Sequence, residues 1–320
     1  MMAYYLGIDI GGTSVKLGLF DGSAEMIRKW EIPTRVENNG ANILPDIVSS
    51  ASDQLLSNGT DFRSVAGIGV GVPGPVINES YVTRCVNLGW ENINIRDELF
   101  SLTGVKKIAA INDAKAAALG EWWKGGHEQC GSAVMITLGT GIGGGVIIDG
   151  KVYNGAFGSA GELSHFPIVP NETEACACGK FGHLQQYASA EGIVHQYQKK
   201  LSLTETPSIL WGQKQITAKD ILDSAKSGDK LAAEVVHDAV KKIAHTMAMI
   251  TTVVDPELYL IGGGLSKAGD FLLDAIRDEF YKTVFFASKN ARVESAVLGN
   301  DAGMYGAVKF VYGYGSRCGS

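Results

Sequence analysis

The sequence predicts an α/β protein of two domains, and three observations carry that expectation. Apolar runs of strand length end in glycines and alternate with stretches of helical spacing. A strand, Gly-Thr turn, strand pattern occurs twice, at 4–20 and at 132–148. The length, 320 residues with 45% apolar content, favours two cores over one.

Tyr4–Ile10 (YYLGIDI) reads as a buried strand ending in an acid, followed by Gly11-Gly12-Thr13 and a second apolar run, Val15–Phe20. Such a hairpin exposes backbone N–H groups and the Thr13 hydroxyl at its tip, and Asp9 can hold Mg²⁺ through water. An ordinary hairpin with a solvent-facing Asp has the same pattern. Ile43–Leu56 carries helical spacing at Ile43, Leu44, Ile47, Val48, Ala51 and Leu55.

Val65–Val72 is a strand running into Pro73-Gly74-Pro75. Gly69, Gly71 and Gly74 match G-x-G-x-x-G, but a dinucleotide loop must open a helix, and this proline turn cannot. It is expected to line a cleft. Asn87-Leu88-Gly89-Trp90 forms a polar and aromatic loop, suited either to touching a sugar or to covering a core edge. Lys107–Ile111 is a short strand capped by Asn112-Asp113, and Ala114–Trp123 is rich in helix formers. Asp113 thus sits at a strand end before a helix, where catalytic groups of open α/β sheets are found. Asn112 and Asp113 are also both favoured helix N-caps.

Ser132–Leu138 begins the pattern again: strand, Gly139-Thr140-Gly141 with further glycines, then Val146–Ile148. A strand follows these glycines, so a dinucleotide loop fails here too. Two facing hairpins of this kind can grip a polyphosphate through amides and threonine hydroxyls.

Between Gly158 and Gln186 one glycine-punctuated segment holds Glu162, His165, Cys176, Cys178 and His183. Two thiols and two imidazoles suit a tetrahedral Zn²⁺, although C-x-C is a weaker pattern than paired C-x-x-C and reduced thiols in a loop would read alike. Tyr187–Leu201 is a helical candidate, and Thr217-x-x-Asp220 starts another helix with a capping-box pattern. A long helix is expected over Leu231–Val254, stopped by Asp255-Pro256. Leu258–Ile261 is a strand, and Gly262-Gly263-Gly264 should let adenosine or phosphate approach backbone before a helix at about Lys267–Tyr281. A turn of purely structural purpose fits the same glycines. Ala302–Val311 closes the chain as a helix, with 313–320 as a frayed tail.

A net charge of −6 argues against a nucleic-acid surface. Five cysteines, two of them clustered, do not make a disulfide scaffold and point to a reducing, cytoplasmic setting. The first residues lack a signal-peptide pattern, and no apolar run reaches membrane-span length.

These residues together resemble the ROK family (repressors, open reading frames and kinases), and within it the glucokinase branch. The resemblance rests on D-I-G-G-T at Asp9–Thr13, G-V-P-G-P-V at Gly71–Val76, N-L-G-W at Asn87–Trp90 and N-D-A-K-A-A-A-L-G-E at Asn112–Glu121. It continues in L-G-T-G-I-G-G-G at Leu138–Gly145, G-E-L-S-H at Gly161–His165, C-A-C-G-K-F-G-H at Cys176–His183 and G-G-G-L-S-K-A-G at Gly262–Gly269. It implies the two-domain actin-like (ribonuclease H-like) ATPase fold, with ATP and sugar meeting in an interdomain cleft. Domains of 1–113 with 301–320, and of 114–300, are expected.

By the same resemblance Asp113 is the base that takes the sugar hydroxyl proton. Gly74, Asn87, Asn112, Glu162, His165 and the residue at 185 meet the sugar. Asp9, Gly11, Gly12, Thr13 and Lys16 belong with the phosphates and Mg²⁺, as do Gly139, Thr140, Gly141 and Gly262 to Gly264. His165, Cys176, Cys178 and His183 hold a structural Zn²⁺. The family pattern after the second cysteine is G-x-x-G-C-L-E, so His183 stands where a cysteine is usual and Gln185 where a sugar-binding glutamate is usual. The expected reaction is ATP-dependent phosphorylation of glucose to glucose 6-phosphate. An N-acetylmannosamine or N-acetylglucosamine kinase is the alternative that Gln185 suggests. A sugar-sensing regulator is a third, disfavoured by acidic charge and by the few residues before Asp9. The family also suggests a homo-oligomer, a dimer or tetramer, without nucleic-acid or membrane partners.

Overall fold

The structure, a computed structural model, describes residues 3–204 and 206–313; residues 314–320, nearly all of the expected tail, lie outside them. Strands β1 (Tyr4–Ile10) and β2 (Ser14–Phe20) form the hairpin that their apolar runs and glycine turn predict, and β3 (Met26–Pro33), a mostly exposed strand outside those expectations, extends it into an antiparallel meander. After one turn, α1 (Glu37–Gly40), helix α2 (Ile43–Ser57) buries Ile43, Leu44, Ile47, Ala51 and Leu55, the stripe expected of period 3.6. Strand β4 (Val65–Val72) pairs parallel with β1. A three-stranded antiparallel sheet of β5 (Val76–Ile77), β6 (Tyr81–Cys85) and β7 (Trp90–Asn94) follows, then α3 (Ile95–Thr103). Strand β8 (Ile108–Asn112) pairs parallel with β4 and leads directly into α4 (Asp113–Lys124). The first large sheet is ordered β3-β2-β1-β4-β8.

The second sheet starts with β9 (Ser132–Leu138), β10 (Ile142–Ile148) and β11 (Lys151–Val152). Helices α5 (Gln185–Ala188), α6 (Ala190–Leu203), α7 (Ala218–Lys226) and α8 (Lys230–Val254) come before β12 (Leu258–Gly262), α9 (Asp270–Thr283), β13 (Arg292–Ser295) and α10 (Ala302–Tyr312). Its order is β11-β10-β9-β12-β13, with β9, β12 and β13 parallel. In chain order within each sheet, both read third, second, first, fourth, fifth. The repeated hairpin seen in the sequence is therefore one piece of a repeated topology.

The chain divides into two compact units, Met1–Gln129 with Gly145–Ala160 and Leu298–Ser320, and Cys130–Gly144 with Gly161–Val297. The expected boundary after residue 113 runs elsewhere: α4 belongs with the N-terminal strands. The reason is its crossing with α10, where glycines on both helices bring the backbones together. A Cβ at Gly120 would lie 2.0 Å from the Ala302 oxygen, and one at Gly306 1.6 Å from that of Ala116.

Two further expectations are corrected. The helix expected over Tyr187–Leu201 is two helices, broken at Ser189, whose hydroxyl caps α6 by accepting from the Gly192 amide. The helix expected from about Lys267 begins at Asp270, after a 3-10 turn over Gly264–Ala268. Of the two readings open for the Asn87–Trp90 loop, Trp90 takes the second: it is fully buried, donates to the Gly40 oxygen and belongs to the core. Among the described residues no helix is long and apolar enough to cross a membrane.

Candidate active site

In the first unit, β1 delivers Asp9 to the end of the sheet and β8 delivers Asn112 and Asp113 to the start of α4. The Asn112 side chain is the helix cap, accepting from the Lys115 amide at 3.1 Å. Its amide nitrogen donates to the Gly74 oxygen (3.2 Å) and to Asp113 Oδ1 (2.9 Å). Asn112 therefore ties together the proline turn, the helix and the acid, and keeps one lone pair on Oδ1 for a hydroxyl. Asp113 Oδ1 also accepts from the Ala114 amide at 2.8 Å. The Asn112 and Ala114 bonds converge on Oδ1, which makes Oδ2 the freer oxygen to accept a proton.

Burial pushes the Asp113 carboxyl up, opposed by the Ala114 amide and the Asn112 side chain. Asp9 is pushed up to about 6, by burial first and then by the Asp113 charge, with Lys16 opposing. Lys16 stands directly across the hairpin from Asp9. Room for the Asp9 carboxylate comes from Gly303 on α10, where a Cβ would lie 2.6 Å from Asp9 Oδ2. At the hairpin tip Gly12 and Thr13 are exposed. Thr34 fastens the tip: its hydroxyl donates to the Gly11 oxygen (2.7 Å) and its amide to the Thr13 oxygen (2.9 Å). Asn87 is exposed beside it, its Cβ 4.0 Å from where a Gly12 Cβ would be.

Lys115 went unremarked in the sequence. It is 1% exposed, and its Nζ donates to the Gly158 oxygen at 2.6 Å. A lysine one turn into an alanine-rich helix, beside the capping Asn112, was the available signal. A concavity of 640 Å³ in this unit is lined by Asn39, Arg84, Trp90 and Glu91 among others and holds none of the expected site residues.

In the second unit, Thr140 and Gly141 are exposed at the β9–β10 tip, and the Gly139 oxygen accepts from the Ala190 amide at 2.8 Å. Gly262 ends β12. Gly263 has φ +87°, and a Cβ there would lie 2.5 Å from the Leu138 oxygen, so only glycine lets this strand end meet the residue before Gly139. Gly264 opens the 3-10 turn. A cavity of 450 Å³ is lined by Thr140, Gly141, Cys176, Gln185 and Ser189 among others, so the hairpin tip and the cysteine segment share one wall.

Glu162 and His165 bracket a single 3-10 turn, in which the His165 amide donates to the Glu162 oxygen. The cysteine segment is held by short bridges, Pro167 with His183 and Ala175 with Phe181. Glu172 accepts from the Thr173 and Glu174 amides and from the Tyr187 hydroxyl, which hold its carboxyl down to about 2.

The donor atoms of His165, Cys176, Cys178 and His183 all lie within 4.8 Å of one another. His183 Nδ1 is 3.3 Å from both His165 Nδ1 and Cys178 Sγ. Zn–N and Zn–S bonds of about 2.0 and 2.3 Å give tetrahedral edges of about 3.3–3.8 Å. The residues therefore fit a zinc ion, His183 included. Burial and His165 push the His183 imidazole down, towards its neutral, ligating form. Burial raises the Cys176 thiol, but the Cys178 and Ala177 amides and the Gln185 side chain outweigh it and hold the thiol below its ordinary value. Gln185 sits on α5 and donates from Nε2 to Cys176 Sγ at 2.8 Å.

Across residues 5–313 the chain matches the sequence profile of the ROK family. It is 34% identical over 313 residues to a glucokinase of Halalkalibacterium halodurans, covering 95% of this chain and 93% of that one. A glucokinase of Thermotoga maritima is 31% identical over 312 residues, 96% of each chain. Among solved structures, a ROK family glucokinase from Streptomyces griseus in complex with glucose and AMPPNP has a TM-score of 0.76 at 30% identity, over 96% of this chain and 99% of that one. With its duplicated sheets and its match over almost the whole length, the chain belongs to the ROK family and has the two-domain actin-like ATPase fold of that family's sugar kinases.

Proposed function

We propose that the protein is an ATP-dependent glucokinase that makes glucose 6-phosphate, with Asp113 as general base. The observation that carries this reading is the frame around Asp113: Asn112 and the Ala114 amide hold Oδ1, and Oδ2 is left for a hydroxyl. Oδ2 takes the proton as the sugar oxygen bonds to the γ-phosphorus and the bridging oxygen leaves on ADP. Phosphoryl transfer asks mainly for positioning and charge stabilisation, which suits a site with one acid and many glycine-borne amides.

Gly11, Gly12, Thr13 and Lys16, with Gly139, Thr140, Gly141 and Gly262 to Gly264, are the residues assigned to the nucleotide. Asp9 is assigned to Mg²⁺ through water; bound with ATP, that ion neutralises charge on the phosphates. Gly74, Asn87, Asn112, Glu162, His165 and Gln185 are assigned to the sugar. His165, Cys176, Cys178 and His183 hold a structural zinc with no open coordination position, a brace for the sugar segment and not a Lewis acid. A homo-oligomer completes the proposal.

A second reading, an N-acetylhexosamine kinase, is favoured by Gln185, whose amide offers a donor where a carboxylate offers only acceptors. ADP release measured with glucose, N-acetylmannosamine, N-acetylglucosamine, mannose and fructose separates the two. Glucose ahead by tenfold in kcat/KM, about 1.4 kcal/mol, supports the first reading; an N-acetyl sugar ahead moves the assignment to the second. No turnover with any sugar overturns both.

A further inference from the structure

We infer that Gln185 is a positioning residue that joins the metal cluster to the glycine hairpin. This rests on the zinc reading given above. Its Nε2 donates to Cys176 Sγ at 2.8 Å, and its Oε1 lies 3.9 Å from where a Cβ on Gly141 would stand. One planar amide therefore touches a metal ligand on one side and faces the hairpin tip on the other.

The residue is held in that position by its own backbone. The Gln185 oxygen accepts from the Ser189 hydroxyl at 2.7 Å, and Gly192 packs so tightly that a Cβ there would lie 2.4 Å from that oxygen. The next amide, that of Ala190, donates to the Gly139 oxygen. An unbroken set of contacts thus runs from Cys176 through Gln185 and Ser189 to Gly139. A thiolate that gains an N–H donor is steadied in orientation and loses part of its charge to the donor, as ligand partners behind a metal do generally. A carboxylate at 185 would face that thiolate as a like charge. With one N–H committed to Cys176, Gln185 offers a substrate its second N–H and the Oε1 acceptor.

The test uses the full chain loaded with Co²⁺, in wild type, Gln185→Met and Gln185→Glu. Gln185→Met keeps length and removes the donor; Gln185→Glu adds the opposing charge. The readouts are the sulfur-to-cobalt charge-transfer band and metal loss to a competing chelator. The expected result is a shifted band in both variants and metal affinity weaker by about 10- to 100-fold, with Gln185→Glu the weaker. Bands and chelator competition unchanged from wild type in both variants overturn the inference, whatever happens to turnover. Wild-type protein that takes up no cobalt overturns the zinc reading itself, and this inference with it.

Discussion

Replacing Asp9 with Asn should stabilise the ligand-free protein at neutral pH while removing turnover. The Asp9 carboxyl is pushed from 3.8 to about 6, first by burial and then by Asp113. At about 1.4 kcal/mol per unit, that displacement amounts to about 3 kcal/mol. Because the folded protein holds this proton more tightly than the unfolded chain does, folding takes up a proton between about pH 4 and 6, and stability falls as pH rises through that window. Below it both states are protonated and the effect vanishes; above it the full cost of the ionised acid is present. Asn carries no charge and escapes that cost. For a domain of this size, where 1 kcal/mol moves Tm by about 2–4 °C, the variant should melt up to about 6–12 °C above wild type at pH 8 and level with it near pH 4. Thermal melts at both pH values without nucleotide or Mg²⁺ check this, beside initial rates with Mg²⁺ and ATP, which should fall by roughly 100-fold or more. An equal Tm difference at both pH values, or a lower Tm at pH 8, would refute the reasoning.

Asp113→Asn should lower kcat by about 10²- to 10⁴-fold with little change in sugar KM, measured by ADP release. It should also narrow the pH window over which Asp9 destabilises the fold, since the second cause of that shift is gone. Gly120→Ala should lower stability by about 1–3 kcal/mol or more in urea unfolding, because the new Cβ meets the Ala302 oxygen at 2.0 Å and α10 must move away from α4. Chelation should strip about one zinc per chain and lower Tm, and added Zn²⁺ should restore both. Elemental analysis finding no zinc in the untreated protein would contradict that expectation.

Where the sequence carried a strong period or a sharp stop, it was enough. The two hairpins, α2 and α8 lie where apolar spacing and glycine turns put them, because those signals are local. Of Asn112 and Asp113, which the sequence offers as caps or as catalytic groups, Asn112 caps the helix and its amide also donates to Asp113, so a cap and the proposed base sit side by side in one segment. What escaped was either too short to carry a pattern or set by distant partners. The β5–β7 sheet is built from strands of two and five residues, too short to show alternation. Ser189 looked like one more helical residue in A-S-A, and only its bond to the Gly192 amide reveals a break. A-K-A-A-A shows a lysine beside the cap but not where its ammonium goes, since its partner is the oxygen of Gly158, far along the chain. The placement of α4 depended on glycines in α10, almost two hundred residues later.

That last contact has a consequence during synthesis. Helix α10 packs against β1, β4 and α4, yet it is made after everything those strands precede. At about 5–20 residues per second, the N-terminal strands leave the ribosome roughly 10–60 s before their covering helix exists. Meanwhile 161–297 can pack with 130–144, which is made before it, and finish the second unit. The half that carries Asp113 is therefore the last to be completed. In the nascent chain the glycine-lined face of β1 and β4 stands open to solvent or to a chaperone until α10 arrives.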